Sequence, residues 1–412
     1  MVFIEPINLI YKDLNRLSNS GDLSIMLWKL QENVISSSDI NSLVTFIKHT
    51  SRFTQYKKVK EFEQRFAKWQ NCKYCVFVNS GSSANLLLVN AVMNFKKWVA
   101  GDEIVVPAVT WPTTITPIIQ LGLKPVFVDL NLSDLSFDYE QFEKKITART
   151  RGIFVPHLLG FPADVKRLND IIEGRNITLL EDCCESLGAT VDGIKVGNFG
   201  LGGTFSTYWG HHMTTVEGGM VCTNNSDLYK LLVLKRSHGL AREIPEIYHA
   251  DLRAKYSDID FDFLFLTDGF NFRNTEFNAV LGLSQMDKLD DFIRIRNRNY
   301  SIFVEMCEKY PEALITLKSK GLSSFVFPFL FNKYDDKILF QKLIGKAGIE
   351  LRPLIGGNLL RQPFLNSYYN LNNFPNSDFL HSNAFYIGNN QFVNHERLKT
   401  LDKIMSDFFG GM

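Results

Sequence analysis

The stretch Tyr74–Phe95, YCVFVNSGSSANLLLVNAVMNF, reads as a strand, a turn and a helix. YCVFV is a short apolar run, Asn79 to Ala84 is a turn of small hydroxyl residues, and NLLLVNAVMNF continues as a helix. The unit then repeats. IVVP (104–107) leads through AVTWPTT into a helix ending near Leu121, and PVFVDL (125–130) leads into the amphipathic DYEQFEKKI. GIFVPH (152–157) precedes a helix over Asp164 to Glu173, and ITLLED closes the series at 177–182. Apolar strands alternating with helices predict an α/β fold with a mainly parallel central sheet covered on both faces. Ligands on such a sheet sit at the carboxyl ends of its strands. Ser80, Trp111 and Asp182 all fall at such ends.

Upstream, KKVKEFEQRFAKWQ (57–70) spaces Val59, Phe62, Phe66 and Trp69 as one apolar stripe of a helix. Downstream, GTFSTYWGHHMTTVEGGMVCTN (203–224) reads as a strand, a short turn and a second strand. A long helix is expected from Asn278 toward Tyr310. SFVFPFLF (324–331) and a helix over Asp335 to Lys346 then open a smaller C-terminal α/β region. The domains expected are an N-terminal segment (1–56), a large domain (57–290) and a small one (291–412). The first segment carries the least signal and is expected to wrap the large domain or line the substrate entry.

The 412 residues are 45% apolar, enough for a large core. With 45 basic and 44 acidic residues the formal charge is +1, which gives no footprint for nucleic acid or an anionic membrane. MVFIEPINLIYKDLNRL lacks the pattern of a signal peptide, and no apolar run reaches the ~18 residues of a membrane span. A cytoplasmic protein is expected. Six cysteines in a chain this long do not suggest a disulfide framework. Cys72-x-x-Cys75 has the spacing of half a zinc site, but no second pair follows at finger spacing, so these read as core thiols and no metal is expected. Cys183-Cys184 reads as packing.

Three segments can carry chemistry. Asn79 to Ala84, opening a helix, is either an ordinary N-cap or an anion site made of backbone N–H groups and the helix dipole. Trp111 is either core or a stacking face. Asp182, ending an apolar strand, needs a partner or caps a helix. The segment Ser206-Thr-Tyr-Trp-Gly-His211 then sets a histidine five residues after a serine, with His212 beside it and Glu217-Gly218-Gly219 just beyond. This arrangement resembles the cofactor segment of the DegT/DnrJ/EryC1/StrS family of sugar aminotransferases. In that family S-F-x-x-x-K supplies the lysine that holds pyridoxal phosphate, and here His211 stands at the lysine position. No lysine lies between Lys195 and Lys230.

The resemblance covers the chain from about Lys57 to its end, and it implies a fold type I transferase binding pyridoxal or pyridoxamine 5'-phosphate. It makes Gly81, Ser82, Ser83 and Ser206 the phosphate cup, Trp111 the ring that stacks on the pyridine, and Asp182 the partner of the pyridinium N–H. Glu185 would contact the ring or its hydroxyl. Asn271 and Arg273, in GFNFRNTEF, resemble the segment that a partner subunit contributes, so a homodimer is implied. Imidazole cannot hold the cofactor covalently but can move protons. His211 is therefore the expected catalytic base, with His212 supporting it. Members of the family with histidine there are sugar 3-dehydratases, which remove a hydroxyl instead of installing an amine. The implied substrate is a nucleotide-linked, GDP-attached 4-keto-6-deoxy sugar, hexose or heptose, with glutamate restoring the amine form of the cofactor.

A sister group of dehydratases carries an iron–sulfur cluster on four cysteines. Only Cys222 and Cys307 follow His211, so no cluster is expected. LRPLIGGNLLRQPF (351–364) and FYIGNNQ (385–391) also resemble the dehydratases. Residues 1–50 and 243–265 depart from the family pattern and are expected to shape the sugar pocket. The competing readings are a nucleotide-sugar 4-aminotransferase and a catalytically silent cofactor-binding scaffold.

Overall fold

The chain's first apolar run becomes the edge strand β1 (Tyr74–Val78) of a seven-stranded sheet in the computed structural model, which describes residues 27–368 and 373–410. The N-terminal residues read for a targeting signal lie outside that range. Strands β2 (Glu103–Pro107), β3 (Lys124–Val128), β4 (Thr150–Pro156) and β5 (Thr178–Asp182) follow in order. A small hairpin, β6 (Thr190–Val191) and β7 (Ile194–Lys195), precedes β8 (Gly202–Ser206) and β9 (Gly219–Thr223). The sheet order is β1-β9-β8-β5-β4-β2-β3. Every pairing from β8 to β3 is parallel, and β9 alone runs against its two neighbours.

Alternate side chains of each strand enter different cores. Val76, Ile104, Val106, Phe154 and Leu180 pack under the helices Gly81–Lys96 and Ser226–Arg236. Phe77, Phe205 and Met220 face Phe62 and Phe66 of the helix Lys57–Gln70, while Val105, Ile153 and Val155 face Leu168. The sheet is thus covered on both faces, as the uninterrupted apolar runs predict.

A second, antiparallel sheet contains β10 (Leu314–Ile315), β11 (Val326–Phe331), β12 (Leu351–Pro353) and β13 (Ala384–Gly388), in the order β10-β11-β13-β12. Its core is aromatic: Phe329 stacks on Phe385 with centroids 5.2 Å apart, and Phe340 and Phe409 close the cluster. Trp28 belongs to the same core. It bridges to Ile349, and its indole N–H donates to the Gly388 carbonyl at 2.9 Å.

Two expectations are corrected. The connection within 203–224 is longer than a short turn: residues 207–218 form a loop between β8 and β9, in which the His211 amide donates to the Tyr208 carbonyl at 3.0 Å to close a turn. The expected long helix is two, Glu276–Met286 and Leu289–Cys307. The break is held by ion pairs: Arg65 binds Asp287, and the Lys288 ammonium reaches buried Asp39 at 2.7 Å. Asp39 belongs to the helix Ser37–His49, which reasoning from sequence missed although Ser36 and Asp39 form a capping box. No helix among the described residues is long and apolar enough to cross a membrane.

Candidate active site

The parallel strands end on one side of the sheet, and their last residues border a cleft of about 310 Å³. Ser80 and Gly81 come from the end of β1, Trp111 from β2, His157 from β4, Asp182 from β5 and Ser206 from β8. The second sheet closes the cleft with Phe325, Arg352, Ile355 and Tyr386, and Gln31 reaches it from the N-terminal segment.

Ser80 caps the helix Gly81–Lys96, its hydroxyl accepting from the Ser83 amide at 3.0 Å. The Gly81 and Ser82 amides ahead of it have no intrahelical acceptor and offer an anion two donors at the positive end of the dipole. A Cβ on Gly81 would lie 2.7 Å from the Ser206 Cβ, and one on Gly219 would lie 2.2 Å from the Ser80 carbonyl oxygen. Both glycines are therefore required by the close packing that brings Ser206 to this helix end. Ser83 is a correction: its amide and hydroxyl are engaged with Ser80, and it does not line the cleft.

Asp182 is buried, and its carboxylate is oriented by three donors. Oδ2 accepts from Asn85 Nδ2 and Thr114 Oγ1, each at 2.8 Å, and Oδ1 accepts from the Cys184 amide at 3.1 Å. Asn85 is itself aligned by the Thr204 hydroxyl at 2.6 Å. Such a set fixes the orientation of the carboxylate at the wall of the cleft. The Trp111 indole is 54% exposed, which decides against the core reading of that residue.

His211 lies in the loop after β8, with its Nδ1 2.7 Å from the Cys184 carbonyl oxygen. A carbonyl only accepts, so Nδ1 carries the hydrogen and Nε2 keeps its lone pair. The buried Arg296 guanidinium secures this loop by donating to the carbonyls of His211, Phe325 and Asn389. His212 is a second correction. It points away from the cleft, with Nε2 3.1 Å from the Ser323 hydroxyl, and takes a packing role between the loop and the second sheet.

Glu185 lines the cleft and accepts from the Leu159 amide at 2.9 Å. Desolvation raises its carboxyl to about 7, against the Leu159 hydrogen bond and with help from the Asp182 charge. Desolvation lowers the His211 imidazole to about 4, against the Cys184 hydrogen bond and with help from Arg296.

These two shifts act on stability in opposite senses. Between the ordinary value of 4.5 and about 7, the native chain holds a proton on Glu185 that the unfolded chain has lost, so this contribution falls as pH rises. Between about 4 and the ordinary 6.5, the unfolded chain binds a proton that native His211 lacks, so that contribution rises with pH. In the cofactor-free protein, Glu185→Gln should therefore steepen the rise of Tm from about pH 5 to 7, and His211→Asn should flatten it. Two variants that parallel the wild type would refute the shifts.

Asn271 and Arg273 do not line this chain's cleft. They lie beside the end of β1, where the Arg273 Nε donates to Asn271 Oδ1 at 2.9 Å. Residues 243–265 do not line it either, contrary to expectation. They form the helix His249–Lys255 and short turns packed on Ala241, Phe261 and Leu264. Sequence reasoning missed Asn85, Thr114, Tyr208, Arg352 and Tyr386. Asn85 was accessible in principle, since it lies four residues after Gly81, on the same face of an otherwise apolar helix.

A family model described as the DegT/DnrJ/EryC1/StrS aminotransferase family matches residues 35–405. The chain is 37% identical over 363 residues to the GDP-4-keto-6-deoxy-D-mannose 3-dehydratase of Escherichia coli O55:H7, covering 86% of this chain and 93% of that one. It is 34% identical over 384 residues to the protein of the same name from Yersinia pseudotuberculosis, covering 91% and 97%. A solved GDP-4-keto-6-deoxymannose-3-dehydratase with a trapped PLP–glutamate geminal diamine superposes with a TM-score of 0.85 at 33% identity, over 92% of this chain and 100% of the other.

Proposed function

The chain belongs to the DegT/DnrJ/EryC1/StrS aminotransferase family, and on that premise we propose that it is a coenzyme B6-dependent 3-dehydratase of a GDP-linked 4-keto-6-deoxy sugar. The observation that carries this reading is His211 in a cleft with no lysine among its described lining residues. A transaminase needs an amine there to hold its cofactor and pass protons. A dehydratase needs only the proton carrier.

The donor set fits the cofactor. The Gly81 and Ser82 amides and the Ser206 hydroxyl would hold the phosphate, and Asp182 would accept from the pyridinium N–H. Trp111 offers its exposed face to the ring, and Glu185 lies beside it. When bound, pyridoxamine phosphate supplies an electron sink and the nitrogen that engages the sugar's keto carbon. The protein's part is orientation and proton transfer. Cys184 fixes the His211 tautomer, so Nε2 is the free base, and desolvation keeps it unprotonated at neutral pH. His211 Nε2 accepts a proton at the reacting centre and returns one to the hydroxyl leaving C3. Glutamate would serve as the amine donor and two-electron reductant, so that the 4-keto-6-deoxy sugar and glutamate yield a 4-keto-3,6-dideoxy sugar, 2-oxoglutarate and ammonia. A silent scaffold would have no use for a carboxylate held by three donors at the pyridine position.

Borohydride treatment of the holoenzyme followed by peptide mapping should find no pyridoxyl adduct on any residue; an adduct on a lysine would contradict the assignment. The proposed assembly is a homodimer in which Asn271 and Arg273 serve the partner's phosphate, consistent with their place outside their own cleft. Sedimentation should give a dimer, and a fully active monomer would exclude it.

A further inference from the structure

We propose that Cys72, Cys75 and Cys222 form a binding site for zinc(II) at the edge of the central sheet opposite the active cleft. The three sulfurs all lie within 4.8 Å of one another, with Cys72 Sγ 3.4 Å from Cys75 Sγ and Cys75 Sγ 2.8 Å from Cys222 Sγ. Tetrahedral coordination at ~2.3 Å per Zn–S bond separates ligand sulfurs by ~3.8 Å. The trio therefore reaches that geometry with shifts of about an ångström.

The backbone holds the sulfurs together by three separate devices. Cys75 and Cys222 are direct cross-strand partners in β1 and β9. Asn71, at φ 61, ends the helix Lys57–Gln70 in the left-handed region, and the Cys72 amide folds back to the Ala67 carbonyl at 3.0 Å. The Lys73 amide then donates to Asn224 Oδ1 at 2.8 Å, tying the Cys72–Cys75 turn to the end of β9. A disulfide needs only two of these sulfurs, whereas a thiophilic cation uses all three. Cys75 and Cys222 are buried and Cys72 is half-buried, so the fourth coordination position opens toward solvent and takes water. Thiolates with no carboxylate or carbonyl ligand select zinc over magnesium or calcium. Each protonated thiol releases its proton to solvent on coordination. The ion would clip the helix Lys57–Gln70 and β1 to β9, and this role does not depend on the catalytic assignment.

The test uses the full-length holoenzyme, reduced and stripped with chelator, then titrated with cobalt(II). One cobalt per chain should bind, with intense thiolate-to-cobalt charge-transfer absorption that zinc(II) abolishes. Cys72→Ser should keep its circular dichroism, since the side chain is half-buried, and lose at least about 100-fold in affinity, the upper end of what even outer-shell partners contribute. Cys307→Ser and Cys184→Ser should bind as the wild type does. Absence of the charge-transfer band, or binding unchanged in Cys72→Ser, would overturn the site. So would an anaerobically isolated protein in which two of the three thiols are already joined as a disulfide.

Discussion

His211→Asn should lower the rate of ammonia release by about a hundred- to ten-thousand-fold while leaving pyridoxamine phosphate bound. Asparagine has a similar polar volume and can still donate toward the Cys184 carbonyl, so the loop secured by Arg296 should keep its place. What disappears is the Nε2 lone pair. The phosphate donors, Asp182 and Trp111 are untouched, and the deficit should fall on the chemical step, not on cofactor affinity. Retention of more than about a tenth of the wild-type rate, a loss far below that range, would place the base elsewhere. His212 would be a poor replacement, because its imidazole is buried against Ser323 behind the loop. His211→Lys should move the protein the other way. A covalent link to the cofactor should appear under borohydride, with dehydration suppressed.

Asp182→Asn should cost about a hundred- to a thousand-fold in turnover, the range found when one pre-organised electrostatic partner is removed. The carboxylate accepts from Asn85, Thr114 and the Cys184 amide. An amide in its place must turn a donor toward one of those donors, and it carries no charge to stabilise a protonated pyridine. Cofactor affinity should fall along with turnover, in contrast to His211→Asn. The check is a titration with pyridoxamine phosphate beside the rate of ammonia release. A variant within tenfold of wild type in both would show that Asp182 is a structural acceptor only.

The parallel sheet was legible because β2, β4 and β5 are buried on both faces and therefore apolar without alternation. The strand ends followed from it, and with them Ser80, Trp111 and Asp182. His211 was legible only through spacing from Ser206, because a histidine in a loop has no periodicity to betray it. Which way each of two adjacent histidines points depends on Ser323 and Cys184, far apart in the chain. The capping function of Ser80 removes Ser83 from the anion site, a competition settled by backbone geometry. Tyr386 and Arg352 were hidden for a related reason. They are cross-strand partners in the second sheet, and only its packing against the first brings them to the cleft. The helix break at Asp287–Lys288 likewise rests on Asp39, a partner from the N-terminal segment.

On the proposed reading, histidine at the lysine position turns an aminotransferase scaffold toward removal of the C3 hydroxyl. The direct test incubates the wild-type holoenzyme with GDP-4-keto-6-deoxymannose and glutamate labelled with nitrogen-15 at its amine, then measures the products by mass. Labelled ammonia should appear in equal amount with a GDP-linked sugar that has lost the C3 oxygen and contains no labelled nitrogen. A GDP-linked amino sugar carrying the label at C4, with no ammonia released, would contradict it.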